Sequence, residues 1–286
     1  MKVVKIDEIK NLKKLDICSS QNTEGNIYIL NNNTLLKVLY NKDGEDFASK
    51  LQAVSLMKDK EKELQADEFV IPTELAIYKN EVIGYTVPYI KNAHTLNEML
   101  NSKLVSRKDK IRLLKKVGQI LKKIEYINKR GILDLTINDL HEDNILVTKD
   151  KKIKLIDLDS VYLGNNYPVG AKYLIENDNL YDIKKYKCNE EGIFYPDRNT
   201  DIYCYNLIIL NAISKSRMDY TSLPDFFSYI DYLESIGYGD KLLNSFKKIY
   251  LEGNNINPYN YLTDIPANTK DKENYMVYAK KMGYIK

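Results

Sequence analysis

The apolar residues change their spacing near residue 90. Before it they sit in short runs divided by Asn, Asp, Lys and Gly, the pattern of strands and turns; after it they mostly recur every third or fourth position, the pattern of helices. Ile27–Leu30, the turn Asn31-Asn32-Asn33 and Leu35–Tyr40 predict a hairpin. Residues 46–63 predict a helix with Phe47, Leu51, Val54 and Leu64 on its apolar side. Val70-Ile71-Pro72, Leu75–Tyr78 and Val82–Pro88 predict a return to strand, the last two joined at Lys79-Asn80-Glu81. Further on, Ile111, Leu114, Val117, Leu121 and Ile124 form one stripe with lysines opposite it, a helix that Gly131 ends. From Asp201 the pattern is again mainly helical, broken at Pro224, Gly237, Gly239 and Gly253. An α+β chain follows, with a sheet and one helix first and a mainly helical part second.

One strand signal interrupts the helical part. Ile145-Leu146-Val147 and Ile153–Ile156, joined by the polar Thr148–Lys152, predict a small hairpin. Its two ends carry side-chain oxygen: Asp139 and Asn144 before it, Asp157 and Asp159 after it. Singly these have ordinary readings, a turn or capping aspartate and an Asx-turn asparagine. Asp157 is harder to dismiss, because it ends an apolar strand, where a carboxylate needs a partner. Mg²⁺ takes oxygen ligands and shares them with phosphates. An acid, an amide five residues on and a second acid beyond a hairpin resemble the arrangement by which a kinase-type site holds Mg–ATP and orients an acceptor hydroxyl.

On these residues the chain resembles the protein-kinase-like superfamily over most of its length. Asp139-Leu140-His141-Glu142-Asp143-Asn144 resembles the catalytic loop, and Asp157-Leu158-Asp159 stands where the family has Asp-Phe-Gly. Leu35-Leu36-Lys37-Val38-Leu39 resembles the strand with the phosphate-binding lysine. Thr200-Asp201-Ile202-Tyr203, followed by Leu207–Leu210, resembles the buried helix after the activation segment. The resemblance implies a bilobal fold, residues 1–90 as the nucleotide-binding lobe and 91–286 as the catalytic and substrate-binding lobe. It implies ATP and Mg²⁺ as cofactors and γ-phosphoryl transfer to a hydroxyl. Asp139 would orient the hydroxyl or take its proton. Asn144 and Asp157 would hold metal and nucleotide, and Lys37 would hold phosphate. Gly25 would belong to the phosphate-covering loop 20–28, and the hinge from Tyr89 to His94 would meet adenine through its backbone. Asp201 would accept backbone N–H groups of the catalytic loop. Asp159 is open between a further metal ligand and a cap, and His141 between a γ-phosphate contact and loop filler. His94 reads as structural.

The chain also departs from that family. Only Gly25 remains of three loop glycines, and the helix slot for the lysine's glutamate falls near Gln52-Ala53, neither acidic. Asn138 replaces the arginine before the catalytic aspartate, and Asp-Leu-His resembles the aminoglycoside and choline kinase branch. Gly170–Leu174, within the segment 160–199, faintly resembles a peptide-docking motif. A protein Ser/Thr kinase is the first expectation, a small-molecule kinase the second, a pseudokinase used as a binding module the third.

Composition narrows this only a little. Net charge of +3 from 43 basic and 40 acidic residues gives no reason to expect a nucleic-acid partner. Three cysteines (Cys18, Cys188 and Cys204) lack metal-ligand spacing and fit a reduced, cytoplasmic compartment. No apolar run is long enough for a membrane span, and the start lacks the apolar core of a signal peptide, so no membrane is expected.

Overall fold

The computed structural model describes residues 1–15, 24–42, 44–64, 67–164, 166, 185, 187–188, 190–192, 194–213, 223–251, 256–266 and 275–284. The chain is a mixed α+β protein with a sheet-containing N-terminal region and a helical C-terminal part. Strands β1 (Lys2–Lys5), β2 (Lys13–Lys14), β3 (Gly25–Asn31), β4 (Thr34–Leu39), β5 (Glu74–Tyr78) and β6 (Glu81–Pro88) form one sheet in the order β1-β5-β6-β4-β3-β2. β1 runs parallel to β5, and the other pairings are antiparallel.

Side chains alternate across a strand, so β4 has two faces. Leu36 packs with Ile6, Ala76 and Ile83 on one. Leu39 packs with Tyr85 and Val54 on the other, beneath helix α1 (Glu45–Asp59). Lys37 shares the α1 side with Leu39, and Tyr85 is its direct cross-strand partner. A register shift after Ala76 and a backbone φ of +157° at Gly84 let Ile83 and Tyr85 serve opposite faces. A Cβ at Gly84 would lie 1.9 Å from the Lys37 carbonyl oxygen. Gly84→Ala is therefore expected to destabilise the chain by at least about 2 kcal/mol, read as a lower urea midpoint; an unchanged midpoint would contradict this packing.

The predicted helix 46–63 is two pieces, α1 and the short α2 (Glu61–Leu64). Its buried stripe is Lys50, Ala53, Val54 and Met57, with Ser49 beside it, while Leu51 and Phe47 are half-buried. Val70-Ile71-Pro72 is not a strand. Phe69 instead makes a single parallel bridge to Leu155, and the Val70 N–H donates to the Leu155 carbonyl at 2.9 Å. Pro72 has no N–H with which to continue a ladder.

Beyond the sheet, β7 (His94–Thr95), β8 (Ile145–Val147) and β9 (Ile153–Leu155) form a three-stranded antiparallel unit. The short helix α3 (Leu96–Asn101) starts with a Thr95–Glu98 capping box. Helix α4 (Arg107–Lys129), capped by Ser106, buries Leu113, Leu114, Val117, Ile120, Leu121, Ile124 and Ile127. It stops before Gly131, whose φ is +66°. After the small pair β10 (Lys187–Cys188) and β11 (Phe194–Tyr195) comes α5 (Arg198–Ile213), buried almost all round. Helices α6 (Leu223–Ser235), α7 (Asp240–Leu251) and α8 (Tyr275–Lys281) complete the core. The Tyr205 hydroxyl on α5 donates to the Leu114 carbonyl at 2.8 Å, close against Gly118. Among the described residues, no helix is long and apolar enough to cross a membrane.

Candidate functional site

The chemistry gathers where β4, β6 and α1 meet the turn after β9. Lys37 is only 6% exposed, and its ammonium pairs with Asp157 and, at 2.9 Å, with Asp159. The Tyr85 hydroxyl donates to Asp159 at 2.9 Å. Asp159 is buried, whereas the Asp157 side chain is 31% exposed. Strand β9 delivers both carboxylates. After it the chain turns at Asp157, in the left-handed region at φ +57°, into a 3-10 turn at Leu158–Ser160 that packs on α1. Aspartate is among the few residues that adopt that backbone at modest cost.

Three buried or half-buried charges so close together cannot titrate alike. Burial would lower the Lys37 ammonium, but Asp157 and Asp159 outweigh it and hold it well above its ordinary value. Burial and the Asp159 charge raise Asp157 to about 6, against the pull of Lys37. Burial also opposes charge on Asp159, yet Lys37, Lys50 and the Tyr85 hydroxyl prevail and keep it below the usual range. Asp159 is therefore the settled anion of the pair. Tyr85 is raised by burial and by Asp159, so it stays a hydroxyl donor.

The Asp139 loop leads into β8 at the same open end of the hairpin. Asn138 takes the left-handed region at φ +69°, and its side-chain amide donates to the Ser160 carbonyl at 3.0 Å. Asp139 follows, its side chain 46% exposed. The Asn144 amide nitrogen donates to the Asp139 carbonyl at 3.1 Å and to its carboxylate at 3.0 Å, which leaves the Asn144 oxygen as the atom for a cation. The Ile156 N–H donates to the Asn144 carbonyl at 3.0 Å, so Asn144 lies across from the residue before Asp157. His141 accepts from the Asp143 N–H at 3.3 Å through Nδ1, with Nε2 3.7 Å from the Asp139 carboxylate. The 142–144 turn is held from outside: Asn97 donates to Asp143 and Asn211 donates to Glu142, each at 3.0 Å.

Asp201 fastens the loop from below. Its carboxylate accepts the N–H of Ile137 at 2.9 Å and that of Asn138 at 3.0 Å, the contact the resemblance implies. Burial raises it to about 7 even though both N–H bonds pull it down. An unfolded aspartate loses its proton near pH 4, so between there and about pH 7 the folded chain binds more protons. Stability should fall as pH rises through that window. Melting temperatures of wild type and Asp201→Asn across pH 4.5–8 check this. The variant should slope less; equal slopes would refute the assignment.

The remaining predicted residues fare unevenly. Gly25 opens β3 opposite Leu39, where a Cβ would come 2.5 Å from the Val38 carbonyl oxygen, so close strand pairing accounts for it without a phosphate. The N–H of Tyr89 donates to the Asn33 carbonyl at 2.8 Å, so that group is not turned to a ligand. His94 is exposed and sits 3.2 Å from Glu98, away from the site. Residues 20–23 of the phosphate-covering loop, the 170–174 motif and Cys18 lie outside the described residues.

Three site residues carry no motif of their own: Tyr85, Lys50 and Glu24. Lys50 pairs with Glu24, whose carboxylate lies 4.0 Å from the Lys37 ammonium. A lysine on the apolar side of α1 is the one signal that points to them. Carboxylate oxygens of Glu24, Asp157 and Asp159 lie within 4.8 Å of one another, gathered around the Lys37 ammonium. No protein-family model matches the chain, and no curated protein matches it either.

Proposed function

We propose that the chain is an ATP- and Mg²⁺-dependent phosphotransferase of the protein-kinase type, with a bilobal fold and a protein Ser/Thr hydroxyl as acceptor. One observation carries this: Lys37 reaches across from the sheet to Asp157 and Asp159, which leave the open end of a hairpin, and Asp139 braced by Asn144 enters that same end. Phosphoryl transfer needs little covalent chemistry from the protein, and positioning with charge does most of the work. Lys37 would neutralise phosphate oxygens. Asp139, half exposed and aligned by Asn144, would orient the acceptor hydroxyl and take its proton at a carboxylate oxygen. Asn144 and Asp157 would hold Mg²⁺, which when bound offsets charge on the β- and γ-phosphates. Asp159, already engaged by Lys37 and Tyr85, suits an anchor for the lysine better than a metal ligand.

A small-molecule acceptor is the second reading, favoured by Asp139-Leu140-His141 with the His141 ring turned to Asp139. Incubation with γ-labelled ATP and Mg²⁺ tests both readings, using a protein acceptor mixture in one arm and choline and an aminoglycoside in the other. Label on protein hydroxyls, abolished by EDTA, is expected. Label only on the small molecules would move the assignment to the second reading. No transfer in either arm would leave the fold as a binding module.

A further inference from the structure

A second buried cation stands beside Lys37. Lys50 opens the buried stripe of α1 and is 5% exposed, at a position where the helix would otherwise place an apolar side chain. A lysine so enclosed is costly unless its charge is met, and the group that meets it is Glu24. Glu24 stands just before β3 with its side chain 44% exposed, and the same oxygen that pairs with Lys50 lies 4.0 Å from Lys37. One carboxylate oxygen thus sits between two ammonium groups that come from a strand and a helix. Both lysines are fixed by burial, whereas the anion between them is on a half-exposed side chain. A stronger anion that reaches both ammonium groups would compete with that carboxylate. A polyphosphate fits: it offers several charged oxygens, and lysine binds phosphate as a point charge.

We propose that Lys50 is a second polyphosphate-binding cation, with Glu24 occupying the phosphate position until nucleotide arrives. This rests on the phosphotransferase reading above and deepens it. It also accounts for the absence of an acid from the middle of α1: Asp159 and Tyr85 hold Lys37, and the helix contributes a cation instead.

The test is titration of wild type, Lys50→Met, Lys50→Arg and Glu24→Gln with Mg–ATP, inorganic tripolyphosphate and adenosine, with unliganded melting temperatures to establish folding. Lys50→Met should weaken Mg–ATP and tripolyphosphate by about 10–100-fold, the worth of one charge-assisted bond, and leave adenosine unchanged. Lys50→Arg should keep most of the affinity, and Glu24→Gln should tighten both phosphate ligands by removing their competitor. Wild-type Mg–ATP binding with Lys50→Met unaffected would overturn the proposal and leave the phosphotransferase reading standing. Equal losses for adenosine, or weaker phosphate binding in Glu24→Gln, would also overturn it. A wild type that binds neither phosphate ligand would remove both readings. Should Lys50→Met fail to fold, Lys50→Arg and Glu24→Gln decide.

Discussion

Asp139→Asn is expected to lower phosphoryl transfer by about 10²–10⁴-fold, the usual contribution of a positioned base, and to leave Mg–ATP binding nearly unchanged. The substitution is close to isosteric. The new amide oxygen can still accept from Asn144, which now donates to the carboxylate at 3.0 Å, so the loop keeps its shape. What disappears is the negative charge and the capacity to take a proton from the acceptor. A parallel loss in binding would mean that Asp139 serves the loop and not the chemistry. Single-turnover rates beside nucleotide titrations separate the two, because a transition-state contact lowers the rate without raising the dissociation constant.

Asp201→Ala should produce the largest loss of stability among single changes near the site. It strands two buried N–H groups, those of Ile137 and Asn138, and each orphaned donor costs about 1–3 kcal/mol. Part of this is offset, because the carboxylate itself is costly to bury, as its rise to about 7 records. A net loss of roughly 2 kcal/mol or more remains, a melting point lower by about 3 °C or more for a chain of this size. The same change should loosen Asp139, since the left-handed turn at Asn138 is held from below by that carboxylate. Asp201→Asn keeps one accepting oxygen and should lose less. Equal stability of Asp201→Ala and wild type would show that the loop is supported elsewhere.

What could be read before folding follows from the range of the forces involved. The hairpin at residues 145–155 was legible because two short runs with apolar ends flank a polar turn, and α4 because its stripe repeats over many turns. Both are local patterns. The direction of Lys37 was not legible, since alternation along β4 gives two faces without saying which one α1 covers. The stripe of α1 was legible in part. Phe47 and Leu51 pack half-buried against Val54, Leu39 and Tyr85, yet the most deeply buried side also carries Ser49 and Lys50, because the turn after β9 packs on α1. Val70-Ile71-Pro72 had strand composition but was drawn to the free edge of β9 through Phe69 and Val70. Tyr85 and Glu24 entered the site through cross-strand register and a charge pairing distant in sequence, which no local spacing encodes.

The proposed activity depends most on nucleotide and Mg²⁺ meeting at Asp157. Melting temperature is the direct readout, because a ligand that binds only the folded chain raises it by mass action. The measurement is wild type and Asp157→Ala with millimolar ATP, each with Mg²⁺ or with EDTA. A rise in wild type that needs Mg²⁺ and is lost in Asp157→Ala is the predicted result. No rise in wild type, or a rise of equal size in Asp157→Ala, would contradict it.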